Sequence, residues 1–206
     1  MPPVKPRGMA RRVGLLGGSF NPAHDGHVYI SQRALKLLRL DQVWWLVTPQ
    51  NPLKSTVGMA PFEERFDRAR AFVKDPRIVI SDFEARAGTR YTVDALDLLL
   101  QDNPQTRFVW LMGADNLLEA HRWQRWTSIF NTVPIAVFAR PTYSLRALAS
   151  KAARRFAGSR VASRQASRLV DMKKPAWVYL NIRLHDASAT QIRAEHGARV
   201  MGRELD

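Results

Sequence analysis

Short apolar runs alternate along this chain with segments whose apolar residues recur at helical spacing. The runs are rich in β-branched and aromatic residues, as is typical of buried strands. They cover 11–16, 42–48, 77–81, 107–112, 133–140 and 176–182. The segments of helical period cover 27–40, 61–74, 92–101, about 145–157, and a last helix from Ser188. Because consecutive parallel strands need a crossover, usually a helix, this alternation predicts an α/β fold: an open, doubly wound parallel sheet with helices on both faces.

An open sheet of this kind binds its ligand at the carboxyl ends of its strands, near the point where the strand order reverses. Glycine-rich or polar segments follow four of the predicted strands. They are 17–27, 49–54, 113–116 and Arg140. We therefore expect these segments to meet at one edge of the sheet and to form the functional site.

The composition is that of a soluble globular protein. Of 206 residues, 46% are hydrophobic and 24% are charged, and no apolar run approaches the ~20 residues that a membrane span requires. Residues 1–11 are predicted to be a disordered basic lead, and 12–206 a single domain with a C-terminal helical region. The chain has no cysteine, which excludes disulfides, thiolate ligands and a cysteine nucleophile and fits a cytoplasmic location.

Positive charge is concentrated in the last third of the chain. Of a net charge of +14, the stretch from Arg140 to Lys174 contributes +9, since it holds ten Lys or Arg residues and one acid, Asp171. Such a cluster suits a polynucleotide partner. It equally suits a solvated helical face that attracts small anions. Because the rest of the sequence indicates small-molecule chemistry, we expect no nucleic-acid partner, and the sequence leaves the oligomeric state open.

The segment GGSFNPAHDGH follows the first predicted strand and leads into the first predicted helix. Gly17 and Gly18 allow a close approach to the backbone, and Asp25 is the predicted N-cap of the helix. The free N–H groups of a helix start bind phosphate. The spacing matches neither the dinucleotide-binding fingerprint nor the P-loop. The segment therefore predicts an anion site of another type.

His24 and His27 in this segment allow three interpretations: a zinc site, phosphate binding, or a structural loop with two surface histidines. A zinc site would need a third protein ligand, and no His, Asp or Glu except Asp25 stands at a helical spacing that completes a compact set. In the second interpretation, both imidazoles donate hydrogen bonds to phosphate oxygens. We favour the second interpretation and predict no metal ligated by protein side chains.

The same segment resembles the G-x-F-x-P-x-H-x-G-H signature of nucleotidyltransferases that transfer an adenylyl or cytidylyl group. A second signature of that superfamily, S-[ST]-T-x-[IL]-R, resembles SATQIR at 188–193, with Ala189 in place of a second hydroxyl residue. NPLK (51–54), RYTVDAL (90–96) and GADNLLEAHRWQRW (113–126) are similar to segments of bacterial nicotinate-mononucleotide adenylyltransferases. The resemblance covers residues 12–193.

The resemblance implies a reaction. The 5′-phosphate of nicotinate mononucleotide attacks the α-phosphorus of ATP in line, which gives deamido-NAD and pyrophosphate in NAD biosynthesis, and Mg²⁺ arrives with ATP. Two alternatives remain open. One is a related adenylyltransferase for nicotinamide mononucleotide or pantetheine phosphate, and the other is a non-catalytic polynucleotide-binding protein that uses the basic cluster.

The resemblance also implies three groups of site residues. The catalytic group is His24, His27 and Arg193. The ATP and phosphate group is Gly17, Gly18, Ser19, Phe20, Lys54, Arg140, Ser188 and Thr190. The group that binds nicotinate mononucleotide is Asn21, Thr92, Asp115, Trp123 and Gln124.

Several of these residues have purely structural alternatives. Ser188 and Thr190 could form an ordinary helix cap, and Asp115 could be a plain N-cap. Lys54 and Arg140 could be solvated surface charges. In the mononucleotide group, the resemblance implies that a tryptophan stacks on the pyridine ring while backbone N–H groups bind the nicotinate carboxylate.

The tryptophans divide into two sets. Trp44, Trp45 and Trp110 lie in apolar strands, so we predict that they are core residues. Trp123 lies in a polar, arginine-flanked segment, which suits the stacking position that the resemblance assigns to it.

Overall fold

Seven parallel strands form one sheet in the computed structural model, which describes residues 10–50, 58–140 and 143–182. The strands are β1 (Arg11–Gly18), β2 (Gln42–Val47), β3 (Ile78–Ser81), β4 (Thr106–Gly113), β5 (Ile135–Phe138), β6 (Arg160–Val161) and β7 (Trp177–Leu180). Their order is β3-β2-β1-β4-β5-β7-β6, and every pairing is parallel. The predicted α/β class and the parallel sheet are confirmed.

Helices connect most of these strands. They are α1 (Asp25–Leu37), α2 (Phe62–Phe72), α3 (Phe83–Arg86), α4 (Thr92–Asp102), α5 (Ala114–Glu119), α6 (Trp126–Thr132), α7 (Ser144–Leu148) and α8 (Lys151–Arg155). Three 3-10 segments add Ala120–Arg122, Ala157–Ser159 and Ser163–Asp171. Within the described ranges, no helix has both the length and the apolar character to cross a bilayer.

Side chains of successive strand residues alternate between two cores, one on each face of the sheet. In β5, Ile135 and Val137 join the core formed with α4 to α8, whereas Ala136 and Phe138 join the core formed with α1 and α2. This alternation is the period of a strand that is covered on both sides. The prediction of helices on both faces is therefore confirmed.

The structure differs from the predictions in three places. The predicted basic helix over 145–157 is two short helices, α7 and α8, because the hydroxyl of Ser150 accepts a hydrogen bond from Ala153 N–H at 3.2 Å and starts a new helix. Strand β6 was not predicted, since two residues are too few to show a period. Strand β1 begins at Arg11, the last residue of the predicted lead. The last predicted helix, from Ser188, lies outside the described residues.

The order of strands reverses beside β1. The chain passes from β1 to β2 and β3 on one side, and then crosses to β4 on the other. Leu16 of β1 pairs with Leu111 of β4, so the two strands end close together at the same edge. A crevice at this edge is the position at which doubly wound sheets bind their ligands.

Candidate active site

A cavity of about 310 Å³ lies at the carboxyl edge of β1 and β4. Its wall is built from the ends of these strands, from Thr48 after β2 and Glu84 after β3, from the start of α4, and from residues of and after α5. It includes six of the predicted site residues: Gly17, Gly18, Ser19, Thr92, Trp123 and Gln124. The structure therefore brings together Gly17 to Ser19, which follow the first predicted strand, and Thr92, Trp123 and Gln124, which the resemblance implied.

One wall of the cavity is aromatic and depends on a glycine. A Cβ atom on Gly17 would lie 2.7 Å from Cη2 of Trp110, so the indole packs directly on the glycine backbone. Trp110 in turn meets Trp123 edge to face, with ring centroids 6.4 Å apart. Trp110 is buried, as predicted, and also lines the cavity. Of the two tryptophans, Trp123 is the less buried.

The two histidines of the first motif cap helix α1. The Nδ1 atom of His24 accepts a hydrogen bond from Gly26 N–H at 3.1 Å, and Nδ1 of His27 accepts one from His24 N–H at 3.3 Å. His24 is therefore the N-cap, and the prediction that Asp25 fills this position is wrong. The imidazole of His24, one residue before Asp25, accepts the hydrogen bond from Gly26 N–H. Asp25 is the first residue of the helix, where its carboxylate faces the positive end of the helix dipole.

This capping arrangement fixes which nitrogen of each neutral imidazole carries the proton. A ring that accepts at Nδ1 has its N–H at Nε2. In each neutral imidazole the N–H group is therefore at Nε2, on the side of the ring away from the helix cap. The same hydrogen bonds engage both Nδ1 atoms with the backbone.

The start of α1 is docked on the sheet through a buried tryptophan. Trp45 donates from Nε1 to the hydroxyl of Ser31 at 2.7 Å, and that hydroxyl donates to the carbonyl of His27 at 2.9 Å. The ring of Trp45 also stacks on Phe20, with centroids 4.7 Å apart, and meets His27 edge-on at 5.6 Å. These contacts hold the histidine motif against β2.

The side chains of Phe20 and Asn21 make contacts within the fold. Phe20 is buried in the left-handed region, with φ of 47°. The amide of Asn21 donates to the carbonyl of Gly58 at 3.0 Å and accepts from Ala60 N–H at 3.3 Å. These two predicted site residues shape the loop after β1 and lie outside the cavity wall.

Asp115 and Arg140 form an ion pair at the same edge. Helix α5 has Gly113 as its N-cap, so the alternative that Asp115 is an N-cap is wrong. Asp115 instead lies 3.3 Å from Nε of Arg140, and both side chains are about one-third exposed (34% and 28%). A Cβ atom on Gly113 would collide with this carboxylate and lie 2.7 Å from Arg140 Nε. The glycine therefore allows the pair to form.

Two buried charged residues, Arg65 and Glu84, were not predicted from the sequence. Arg65 is 2% exposed, and burial lowers the pKa of its guanidinium although the charge of Glu63 opposes this. Its signal in the sequence was a cation inside the apolar stripe of α2, between Phe62 and Ala69. The stripe predicts a buried face, so a cation within it needs internal acceptors.

Glu84 lines the cavity and is 5% exposed. Burial raises the pKa of its carboxyl group to about 7, while a hydrogen bond with Thr48 lowers it. Arg90 and Arg122, both exposed, are the cationic residues of the same cavity wall. The signal for Glu84 was its position just after β3, at the same edge of the sheet as the other site segments.

Four predicted site residues, Lys54, Ser188, Thr190 and Arg193, lie outside the described residues. Among the residues that the structure does describe, no three His, Cys, Asp or Glu side chains form a group that could hold a metal ion.

Comparison with known proteins identifies the family. Residues 15–195 match the cytidylyltransferase-like family model. A relative from Parvibaculum lavamentivorans, named "Probable nicotinate-nucleotide adenylyltransferase", is 51% identical over 90% of this chain and 92% of its own length. A relative of the same name from Bradyrhizobium sp. is 54% identical over 91% of this chain and 97% of its own. The chain belongs to the nicotinate-nucleotide adenylyltransferase family. The predicted resemblance is thereby confirmed.

The fold agrees with this family. The solved structure of Plasmodium falciparum nicotinic acid mononucleotide adenylyltransferase complexed with NaAD superposes with a TM-score of 0.67. It covers 89% of this chain and 83% of the other, at 15% sequence identity. At that identity the likeness shows the shared nucleotidyltransferase fold.

Proposed function

We propose that this protein transfers the adenylyl group of ATP to nicotinate mononucleotide, which yields deamido-NAD and pyrophosphate in NAD biosynthesis. The main support is the identity of about half of all residues, over nine-tenths of the chain, with relatives named for this activity. The cavity at the reversal of strand order supplies a site of suitable position, and its wall includes the first residue of α4 and the Trp110–Trp123 pair.

The chemistry needs alignment and charge stabilisation rather than a protein nucleophile. An oxygen of the mononucleotide 5′-phosphate attacks the α-phosphorus of ATP, and the bond from that phosphorus to the β-phosphate oxygen breaks. The electron pair of the broken bond leaves with pyrophosphate. Because the nucleophile is already an anion, the protein must hold two polyanions in line and neutralise the charge that builds up.

On the ATP side, we propose that His24 and His27 donate from Nε2 to phosphate oxygens. Their Nδ1 atoms are held by the backbone at the start of α1, so the donors are oriented before ligand binds. The N–H groups of this helix start add to the positive field. From the sequence resemblance, we expect Arg193, with Ser188 and Thr190, to bind the leaving pyrophosphate, and Lys54 to bind phosphate.

On the mononucleotide side, we propose that Trp123 stacks on the pyridine ring. Thr92 is the first residue of α4, so its N–H has no acceptor within the helix. We assign this N–H, together with that of Gln124 in the same wall, to the nicotinate carboxylate. Backbone donors suit a carboxylate because both of its oxygens accept.

We propose that Mg²⁺ enters as a complex with ATP and is held mainly by phosphate and water oxygens. The carboxylate of Asp115, at this edge, is paired with Arg140 and offers one ligand group rather than a cage. The reaction, which consumes ATP, would take place in the cytoplasm.

Release of pyrophosphate by the purified protein with ATP and Mg²⁺ tests the proposal. Nicotinate mononucleotide, nicotinamide mononucleotide and pantetheine phosphate are supplied in separate reactions. Fast release with the first alone supports the proposal, whereas a preference for either of the others assigns the chain to a related activity. No release with any of them, together with salt-sensitive binding of RNA or DNA, would support the polynucleotide-binding alternative.

A further inference from the structure

The guanidinium of Arg65 is hydrogen-bonded entirely to backbone carbonyl oxygens. Its Nε donates to Ala60 at 2.9 Å, one terminal nitrogen donates to Ser19 at 2.5 Å and Thr48 at 3.0 Å, and the other donates to Pro49 at 2.8 Å. All three nitrogens are thus used. The side chain is 2% exposed, so these bonds replace the water that the charge has lost.

These carbonyls belong to three separate segments of the chain. Ser19 follows β1, Thr48 and Pro49 follow β2, and Ala60 precedes α2. Ser19 and Thr48 also line the cavity, whereas Arg65 does not. One buried side chain therefore fixes, from behind, two loops that form the cavity wall.

The bond to Ser19 sets the orientation of a peptide in the anion-binding loop. In a trans peptide the carbonyl and the following N–H point in opposite directions. Because the Ser19 carbonyl points to Arg65, the N–H of Phe20 points away from it. Phe20 holds this orientation in the left-handed region, at φ of 47°, with its ring stacked on Trp45.

Orientation matters because an anion is attracted by N–H groups and repelled by carbonyl oxygens. Arg65 withdraws the carbonyl oxygens of Ser19, Thr48 and Pro49 from the cavity side. An apolar side chain at the same buried position would cost less to desolvate. Core stability alone therefore does not account for a guanidinium with four carbonyl acceptors.

We propose that Arg65 is a positioning residue for phosphate binding, which turns the carbonyl oxygens of the loops after β1 and β2 away from the ligand and presents the N–H group of Phe20, in the loop after β1, to it. Arg65 itself does not contact the ligand. The proposal rests on the proposed function for its ligand, ATP.

Two substitutions of Arg65 distinguish the effect of its hydrogen-bond geometry from the effect of its charge. Arg65→Lys keeps the charge, but one ammonium cannot reach the four carbonyls, and Arg65→Met removes both. Arg68→Lys and Arg68→Met are matched controls, because Arg68 lies on the same helix, is 63% exposed and is paired with Glu64. Affinity for ATP and for inorganic triphosphate is measured by calorimetry, and KM and kcat by pyrophosphate release, at a temperature at which unfolding curves show each variant folded.

We expect both Arg65 variants to weaken ATP and triphosphate binding at least tenfold and to raise KM for ATP more than they lower kcat. The Arg68 variants should stay within twofold of wild type. Wild-type affinity in Arg65→Lys would show that charge alone matters, and wild-type affinity in both variants would show a purely structural role. Either result overturns the proposal.

A measurement on the wild-type protein does not depend on the folding of any variant. In NMR spectra, the amide resonance of Phe20 should shift on addition of triphosphate. An unchanged resonance would also overturn the proposal. The affinity and amide experiments use binding alone, so they remain decisive if the wild-type protein fails to use nicotinate mononucleotide, a result that would count only against the proposed function.

Discussion

The imidazoles of His24 and His27 lie 3.8 Å apart, centroid to centroid, and cap the same helix through their Nδ1 atoms. One pair of side chains therefore has two separable functions. The Nδ1 atoms stabilise the start of α1, and the Nε2 atoms are the proposed donors to phosphate. Substitutions can remove one function and keep the other.

We predict that His24→Asn retains stability but loses activity. Asparagine is among the best N-caps, so it can accept the Gly26 N–H in place of the imidazole, whereas His24→Ala should lose about 1 kcal/mol of unfolding free energy. Both variants lack the Nε2 donor and should lose ~2–4 kcal/mol of transition-state stabilisation in kcat. His27→Ala should show a similar loss of kcat. Urea unfolding and steady-state kinetics measure the two effects, and near-wild-type turnover of His24→Asn would remove this imidazole from the mechanism.

Glu84 makes stability depend on pH. Its pKa rises from the ordinary 4.5 to about 7 on burial, so the folded protein keeps this proton where the unfolded chain releases it. The contribution of Glu84 to stability is complete below pH 4.5 and is lost as pH rises to about 7, by roughly 3 kcal/mol. Glu84→Gln should remove this part of the pH dependence.

Urea unfolding of wild type and Glu84→Gln between pH 4.5 and 8 measures the difference. Glu119→Gln, which changes an exposed carboxylate (58%), is the control and should keep the wild-type slope. If the slopes of Glu84→Gln and wild type coincide, the carboxyl group does not hold its proton in the fold.

Gly17→Ala tests the aromatic wall. The added methyl would lie 2.7 Å from the ring of Trp110, so the indole must move and carry Trp123 with it. We expect kcat/KM for nicotinate mononucleotide to fall at least tenfold. Gly158→Ala is the control, because a Cβ there meets nothing within 4 Å. Equal kinetics for the two variants would show that the position of Trp110 has no effect on the acceptor site.

The acceptor site should prefer nicotinate to nicotinamide mononucleotide by at least about 100-fold in kcat/KM. A carboxamide turns its NH₂ toward at least one backbone donor and leaves that N–H unpaired, which costs about 1–3 kcal/mol and more when the favoured ligand is charged. The basic surroundings add to this preference. Comparable kcat/KM for the two mononucleotides would contradict the assignment of these donors to the carboxylate.

Trp123→Ala should reduce kcat/KM for both mononucleotides by a similar factor, because stacking on the pyridine ring does not distinguish a carboxylate from a carboxamide. The ratio of the two kcat/KM values in this variant is the measurement. A changed ratio would mean that Trp123 takes part in the choice between acid and amide.

Periodicity along the chain was sufficient to predict the parallel sheet and its two covered faces. These properties follow from local patterns, because each apolar run, and each set of apolar residues at helical spacing, indicates which of its own residues are buried. The start of helix α1 around His24 and His27 was also predicted, because the residues of a helix start are neighbours in sequence, although its N-cap is His24 rather than Asp25.

The tertiary structure decided properties that depend on contacts between distant segments. The acceptors of Arg65 come from Ser19, Thr48, Pro49 and Ala60, and no local pattern relates three loops to one side chain. The raised pKa of Glu84 likewise comes from burial among other segments. A sequence pattern shows that a charged group will be buried, but its protonation and its hydrogen bonds depend on which atoms surround it after the sheet has brought those segments together.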